Sequence, residues 1–146
     1  MRELETIKSI KPVQGIPYLK DWGNMRFKDC IHYYIVQQKI DSSLLDIVER
    51  NFLSKRKTAS IGLAFLSILE SLHDIGYVHG DIKPNNLMLH NQESEAYLID
   101  FGLARKYIDS EGHHIPDKIG HNNVNEWFAT VHSFRGHTHS RRDDII

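Results

Sequence analysis

The chain has 146 residues, with 18 Lys+Arg against 19 Asp+Glu, 40% hydrophobic and 25% charged residues, and one cysteine, Cys30. That balance excludes a disordered tail and a disulfide scaffold, and its net charge of −1 gives no global pull toward nucleic acid or anionic lipid. No apolar run approaches the roughly 20 residues of a membrane span and residues 1–11 lack a signal-peptide core, so the sequence predicts a soluble, intracellular domain with a reduced thiol.

Along the chain, Pro12, Gly15, Pro17 and Gly23 punctuate the first stretch, which predicts short extended pieces joined by turns. Residues 31–36, Ile-His-Tyr-Tyr-Ile-Val, are β-branched and aromatic and predict a strand. Ser42 or Ser43 is placed to cap a short helix through Glu49. A long helix is predicted over 57–73, where Ile61, Phe65, Ile68, Leu69 and Leu72 recur at steps of one helical face. Gly76 stands where a left-handed stop is wanted. The texture then changes to short apolar pieces at 77–78, 87–89 and 97–99, read as small strands, with 91–95 as a hairpin-like turn. Residues 104–125 are polar, His-rich and aperiodic and predict a long loop. Residues 140–146 resemble the opening of a helix.

Two segments carry chemistry. His79-Gly80-Asp81-Ile82-Lys83-Pro84-Asn85-Asn86 lies between the pieces at Tyr77 and Leu87, and Asp100-Phe101-Gly102 closes the strand at Tyr97. Phosphoryl transfer needs a carboxylate to orient the attacking hydroxyl, a cation on the transferring phosphate and oxygen ligands for magnesium. Asp81 fits the first role and Lys83 the second. Asn86 offers a neutral carbonyl oxygen and Asp100 an anionic one, the hard donors that Mg²⁺ takes. Gly102 lets the chain turn just past the metal ligand. Taken singly, each residue has an ordinary reading: Asp81 a turn aspartate, Lys83 a solvated lysine, Asp-Phe-Gly a strand exit. Their order and spacing together make coincidence the weaker account.

The pattern H-x-D-x-K-x-x-N, followed 14 residues further on by D-F-G, resembles the protein-kinase signature. With His79-Gly80-Asp81, Gly102-Leu103-Ala104-Arg105-Lys106-Tyr107 and Ser140-Arg141-Arg142-Asp143-Asp144, the chain looks like the casein-kinase-one and vaccinia-related-kinase group. The resemblance implies an α+β, protein-kinase-like fold: a mainly helical large lobe, short β-pairs around the catalytic loop and an incomplete small lobe. Residues 12–38 would be the end of the small lobe and the hinge, and 39–146 the first part of the large lobe through the activation segment. It implies a serine/threonine kinase that uses ATP and Mg²⁺, with Asp81, Lys83 and Asn86 catalytic. ATP would contact Lys83, Asn86, Met88 and Asp100, with Met88 flooring the adenine pocket, and Asn86 and Asp100 would hold the metal. His79 and Phe101 would stack, and Asp144 would anchor the catalytic loop from below. Expected partners are ATP and proteins bearing Ser or Thr, with no nucleic acid or membrane, in nucleus or cytoplasm.

Several family parts have no counterpart here. The sequence shows no Gly-rich loop, no V-A-I-K-like strand and no helix supplying its glutamate partner. At the other end the helix over 57–73 is expected to lack its main packing partner. The alternative reading is therefore a truncated, catalytically weak or inactive kinase-derived binding module, or an incomplete gene product. In the activation segment Val124-Asn125 stand where the family has Gly-Thr, and Gly80 replaces the arginine that would meet an activation-loop phosphate. His113, His114, His121, His132, His137 and His139 crowd the second half. His137-x-His139 has the spacing to pinch zinc, but the cluster lacks a second cysteine and is read as a polar, partly protonatable loop. The basic runs 55–57 and 105–106 are read as solvated surface.

Overall fold

The computed structural model describes residues 2–10, 12–50, 52–90, 95–120 and 127–145. The chain opens with a helix, α1 (Arg2–Ser9), which corrects the extended reading of this stretch. Glu3 and Glu5 sit in its first turn and Lys8 in its last, matching the helix dipole. Thr6, Ile7 and Ile10 are buried, so a short amphipathic face secures it. The turn signals at Pro12, Gly15 and Pro17 fall on the segment that links this helix to the first strand.

Two long strands come next, β1 (Leu19–Phe27) and β2 (Cys30–Gln37). They pair antiparallel from Phe27↔Cys30 to Leu19↔Gln37, with an irregularity between Leu19 and Asp21. The ribbon touches the core mainly through Leu19, and Lys8 Nζ lies 3.9 Å from the centre of the Trp22 ring, tying α1 to β1. A two-residue strand, β3 (Ser42–Ser43), leads into α2 (Leu44–Arg50). Of the two candidate caps it is Ser43 whose Oγ accepts from the Asp46 N–H at 3.1 Å, while the Asp46 carboxylate accepts from the Ser43 N–H at 3.0 Å.

The central helix α3 spans Lys55–Asp74, with Ser54 Oγ capping the Lys57 N–H at 3.3 Å. Gly76 ends it at φ +85°, its N–H donating to His73 O. The stripe Ile61, Phe65, Ile68, Leu69 and Leu72 is buried as its spacing requires. The expectation that this stripe would lack a partner fails. It packs with Ile7 of α1, Ile10 just beyond that helix, Ile47 of α2, Leu89, Leu98 and Phe101 in one cluster. The exposed apolar residues of α3 are Leu63 and Leu66, off that stripe.

The short pieces form β4 (Tyr77–Val78), β5 (Leu87–His90) and β6 (Glu95–Leu98). β5 is central in the order β3-β5-β6. The hairpin-like turn expected at 91–95 falls mostly on 91–94, outside the described residues, but its flanks pair antiparallel with His90↔Glu95. Within the predicted long loop, β7 (Arg105–Lys106) pairs with β4, and Ile108 bridges His114. A short helix, α4 (Val131–Phe134), and a 3₁₀ turn at Arg141–Asp144 complete the described elements. No helix among the described residues is long and apolar enough to cross a membrane.

Candidate active site

The loop between β4 and β5 is held by its own side chains. Asn86 is buried and donates Nδ2–H bonds to the Asp81 backbone oxygen at 2.8 Å and to Asp81 Oδ2 at 3.0 Å. Lys83 Nζ meets the same Oδ2 at 2.5 Å. Asp81 thus receives both neighbours on one carboxylate, and the Asn86 amide keeps its carbonyl oxygen as the donor available to a cation. The Ile99 N–H donates to the Asn86 backbone oxygen at 3.0 Å, which brings Asp100, the next residue, to this loop.

Asp100 sits at φ +65°, a left-handed conformation that turns the chain sharply out of β6, and its Oδ1 accepts the Gly102 N–H at 3.3 Å. Its side chain is exposed. Asn86 and Asp100 therefore supply a neutral and an anionic oxygen from hydrogen-bonded segments, a donor set that fits Mg²⁺. Met88 alternates with Leu87 and Leu89 on β5; those two pack in or against the core, so Met88 lies on the opposite face of the strand.

Beneath the loop, His79 and Phe101 are fully buried with ring centres 5.0 Å apart, edge to face. Burial holds the His79 pKa below its ordinary value, against the pull of Asp144. The neutral ring donates from Nε2 to Ile99 O at 3.0 Å and accepts the Asp81 N–H at Nδ1 at 3.2 Å, so each nitrogen has one role. Asp144 accepts the N–H groups of His79 at 2.8 Å and Gly80 at 2.9 Å. His73 Nε2 and His139 Nε2 approach it at 2.9 and 3.2 Å. Burial alone would raise the Asp144 pKa; bonds from His139, His73 and the Gly80 and His79 N–H groups outweigh it and hold it well below the usual carboxylate value.

Glycine at position 80 has a local cause. Its φ is +83°, and a Cβ there would lie 3.0 Å from the Leu103 carbonyl oxygen. Gly80→Ala is expected to cost about 1–2 kcal/mol from the backbone conformation alone, read as a lowered melting temperature; an unchanged melt would count against this account.

One residue that sequence reasoning missed belongs to this site. Glu3 of α1 accepts a backbone hydrogen bond from Phe101, and its pKa is raised by burial and by the nearby Asp100 charge. A helix does therefore bring a glutamate to the Asp-Phe-Gly segment. No local pattern marks it, because the contact joins positions about a hundred residues apart. The histidines separate. His139 is buried between Ser133 Oγ and Asp144, while His137 turns to Asp117 at 2.8 Å, so the pair does not converge. His121, Val124 and Asn125 lie outside the described residues.

A family model described as protein kinase domain matches residues 1–138. A probable casein kinase I homolog of Encephalitozoon cuniculi is 32% identical over 150 aligned positions, covering 99% of this chain and 45% of that protein. Human serine/threonine-protein kinase VRK2 is 34% identical, covering 90% of this chain and 27% of that protein. The B1 kinase of vaccinia virus, strain Copenhagen, is 36% identical, covering 99% and 50%. The chain thus spans half or less of the length of these curated relatives.

Proposed function

The chain belongs to the protein kinase domain family, and from that premise we propose that its site transfers the γ-phosphoryl group of ATP to a serine or threonine hydroxyl of a protein. The observation that carries the reading is the convergence of Lys83 and Asn86 on the Asp81 carboxylate, with Asp100 delivered to the same loop through the Ile99–Asn86 bond.

On this reading Asp81 orients the substrate hydroxyl and accepts its proton at a carboxylate oxygen. Lys83, 2.5 Å from that carboxylate, offsets charge on the transferring group. Asn86 Oδ1 and the Asp100 carboxylate hold Mg²⁺, and Met88 supports the adenine ring. When bound, ATP supplies the phosphoryl group and Mg²⁺ neutralises its oxygens. Glu3 is the candidate partner for a cation reaching the remaining phosphates, a role that no sequence motif in α1 marks. Residues 12–38 would then be the end of a small lobe and the hinge, and 39–146 the large lobe through the activation segment.

The first test is thermal. ATP with Mg²⁺ at a hundredfold excess over Kd is expected to stabilise the chain by about 2.7 kcal/mol. Asp100→Asn, tolerated at a positive φ, is expected to remove the Mg²⁺-dependent part without changing the melt of the free protein. Absence of any nucleotide shift, together with no phosphate transfer to casein, would reject the reading.

A further inference from the structure

Outside the catalytic loop, three side chains with metal-binding chemistry meet on the segment that follows β7. Asp117, His132 and His137 place one ligand atom each within 4.8 Å of one another. His137 Nδ1 lies 2.8 Å and His132 Nε2 3.6 Å from the same oxygen, Asp117 Oδ2. A tetrahedral ion with bonds of about 2.0 Å wants ligand atoms about 3.3 Å apart, and these two separations straddle that value. We propose that Asp117, His132 and His137 form a Zn²⁺ site, with the fourth position left to water, that pins residues 117–120 to 132–138.

The surroundings suit such an ion. The other oxygen of Asp117 accepts the Thr138 N–H at 2.9 Å, which fixes the carboxylate. His132 Nδ1 lies 3.9 Å from Asp143 Oδ1, beyond hydrogen-bond reach but close enough for the carboxylate charge to act on the imidazole. The two rings stack with centres 4.2 Å apart. Hydrogen bonds already align the segments the ion would join: Lys118 N–H to Thr138 Oγ1 at 2.8 Å and Gly120 N–H to Gly136 O at 2.9 Å. The opposing charge is Arg142, whose Nη2 contacts both ring nitrogens of His132, the proposed ligand Nε2 among them, and whose Nε pairs with Asp143 at 3.6 Å, so the guanidinium has to leave Nε2 for an ion to bind there. Its side chain is long and half-exposed, with room to turn outward.

None of the three ligands is Asp81, Lys83, Asn86 or Asp100, so the test does not depend on the catalytic reading. Tag-free protein is titrated with Co²⁺, followed by Zn²⁺. One equivalent of Co²⁺ is expected to give visible ligand-field absorption, lost on adding Zn²⁺, with Zn²⁺ raising the melting temperature. His137→Ala, His132→Ala and Asp117→Asn are each expected to weaken binding at least about tenfold; the last can keep an oxygen for the Thr138 N–H, should a histidine variant fail to fold. Arg142→Ala is expected to tighten binding, and the double change at His113 and His114 to leave it unaltered. Absence of saturable one-to-one binding, or equal affinity in the Asp117→Asn and parent proteins, would overturn the proposal.

Discussion

Asp81→Asn is expected to lower phosphate transfer from ATP about 10²–10⁴-fold, the usual worth of a positioned general base. The melting temperature is expected to change little. The replacement keeps an oxygen for the Asn86 Nδ2–H that now meets Asp81 at 3.0 Å, and Lys83 is partly exposed and can be hydrated. Parallel measurement of transfer and melting separates chemistry from folding. Equal transfer by both proteins would show that Asp81 does not take the proton; a collapse in stability would make it a structural residue instead.

The largest loss of stability is expected at Asp144. Its two oxygens accept from the His79 and Gly80 N–H groups and meet both His73 and His139. Asp144→Asn puts an amide NH₂ against donors on one side and removes a charge that the site is built to hold. The expected cost is about 3–5 kcal/mol, typical for a buried charge pair broken at one partner, out of a total of about 5–15 kcal/mol for a domain. The pH dependence has a definite sign. A carboxyl whose pKa is lower folded than unfolded contributes stability that is complete above its unfolded value, near 3.8, and disappears as pH falls toward the lower folded value. The parent protein should lose stability steeply below about pH 4, and Asp144→Asn should flatten that limb. Chemical denaturation at stepped pH measures both, and parallel acid limbs would refute the assignment.

The parts of this molecule legible in advance share a local cause. The stripe on α3 is periodic, Ser43 and Gly76 carry cap and stop chemistry, and Asp81, Lys83 and Asn86 lie within six positions of one another. What escaped has a non-local cause. Glu3 gains significance only because the fold brings it to Phe101. β7 is two charged residues whose extended form comes from pairing with Tyr77 and Val78. α1 is short, and the prolines and glycines just beyond it dominate the local pattern. His137 and His139, read from the sequence as part of a polar loop, part company: one faces Asp117 and the other the buried Asp144, a split that depends on how α4 and its following turn cross the segment at 117–120.

The bonds on Asp144 also bear on how the chain acquires its working shape during synthesis. The N–H groups flanking the start of the catalytic loop find their acceptor 64 and 65 positions downstream, and His73 finds it 71 positions downstream. On a ribosome the helix α3 and the strands around it can begin to collapse early, since their contacts are nearer in sequence. The bonds among Asp81, Lys83 and Asn86 are local, but the His79 and Gly80 N–H groups at the start of their loop wait for Asp144 to emerge, and closing that long interval costs entropy. The residues placed to transfer phosphate are translated well before the carboxylate that anchors the start of their loop.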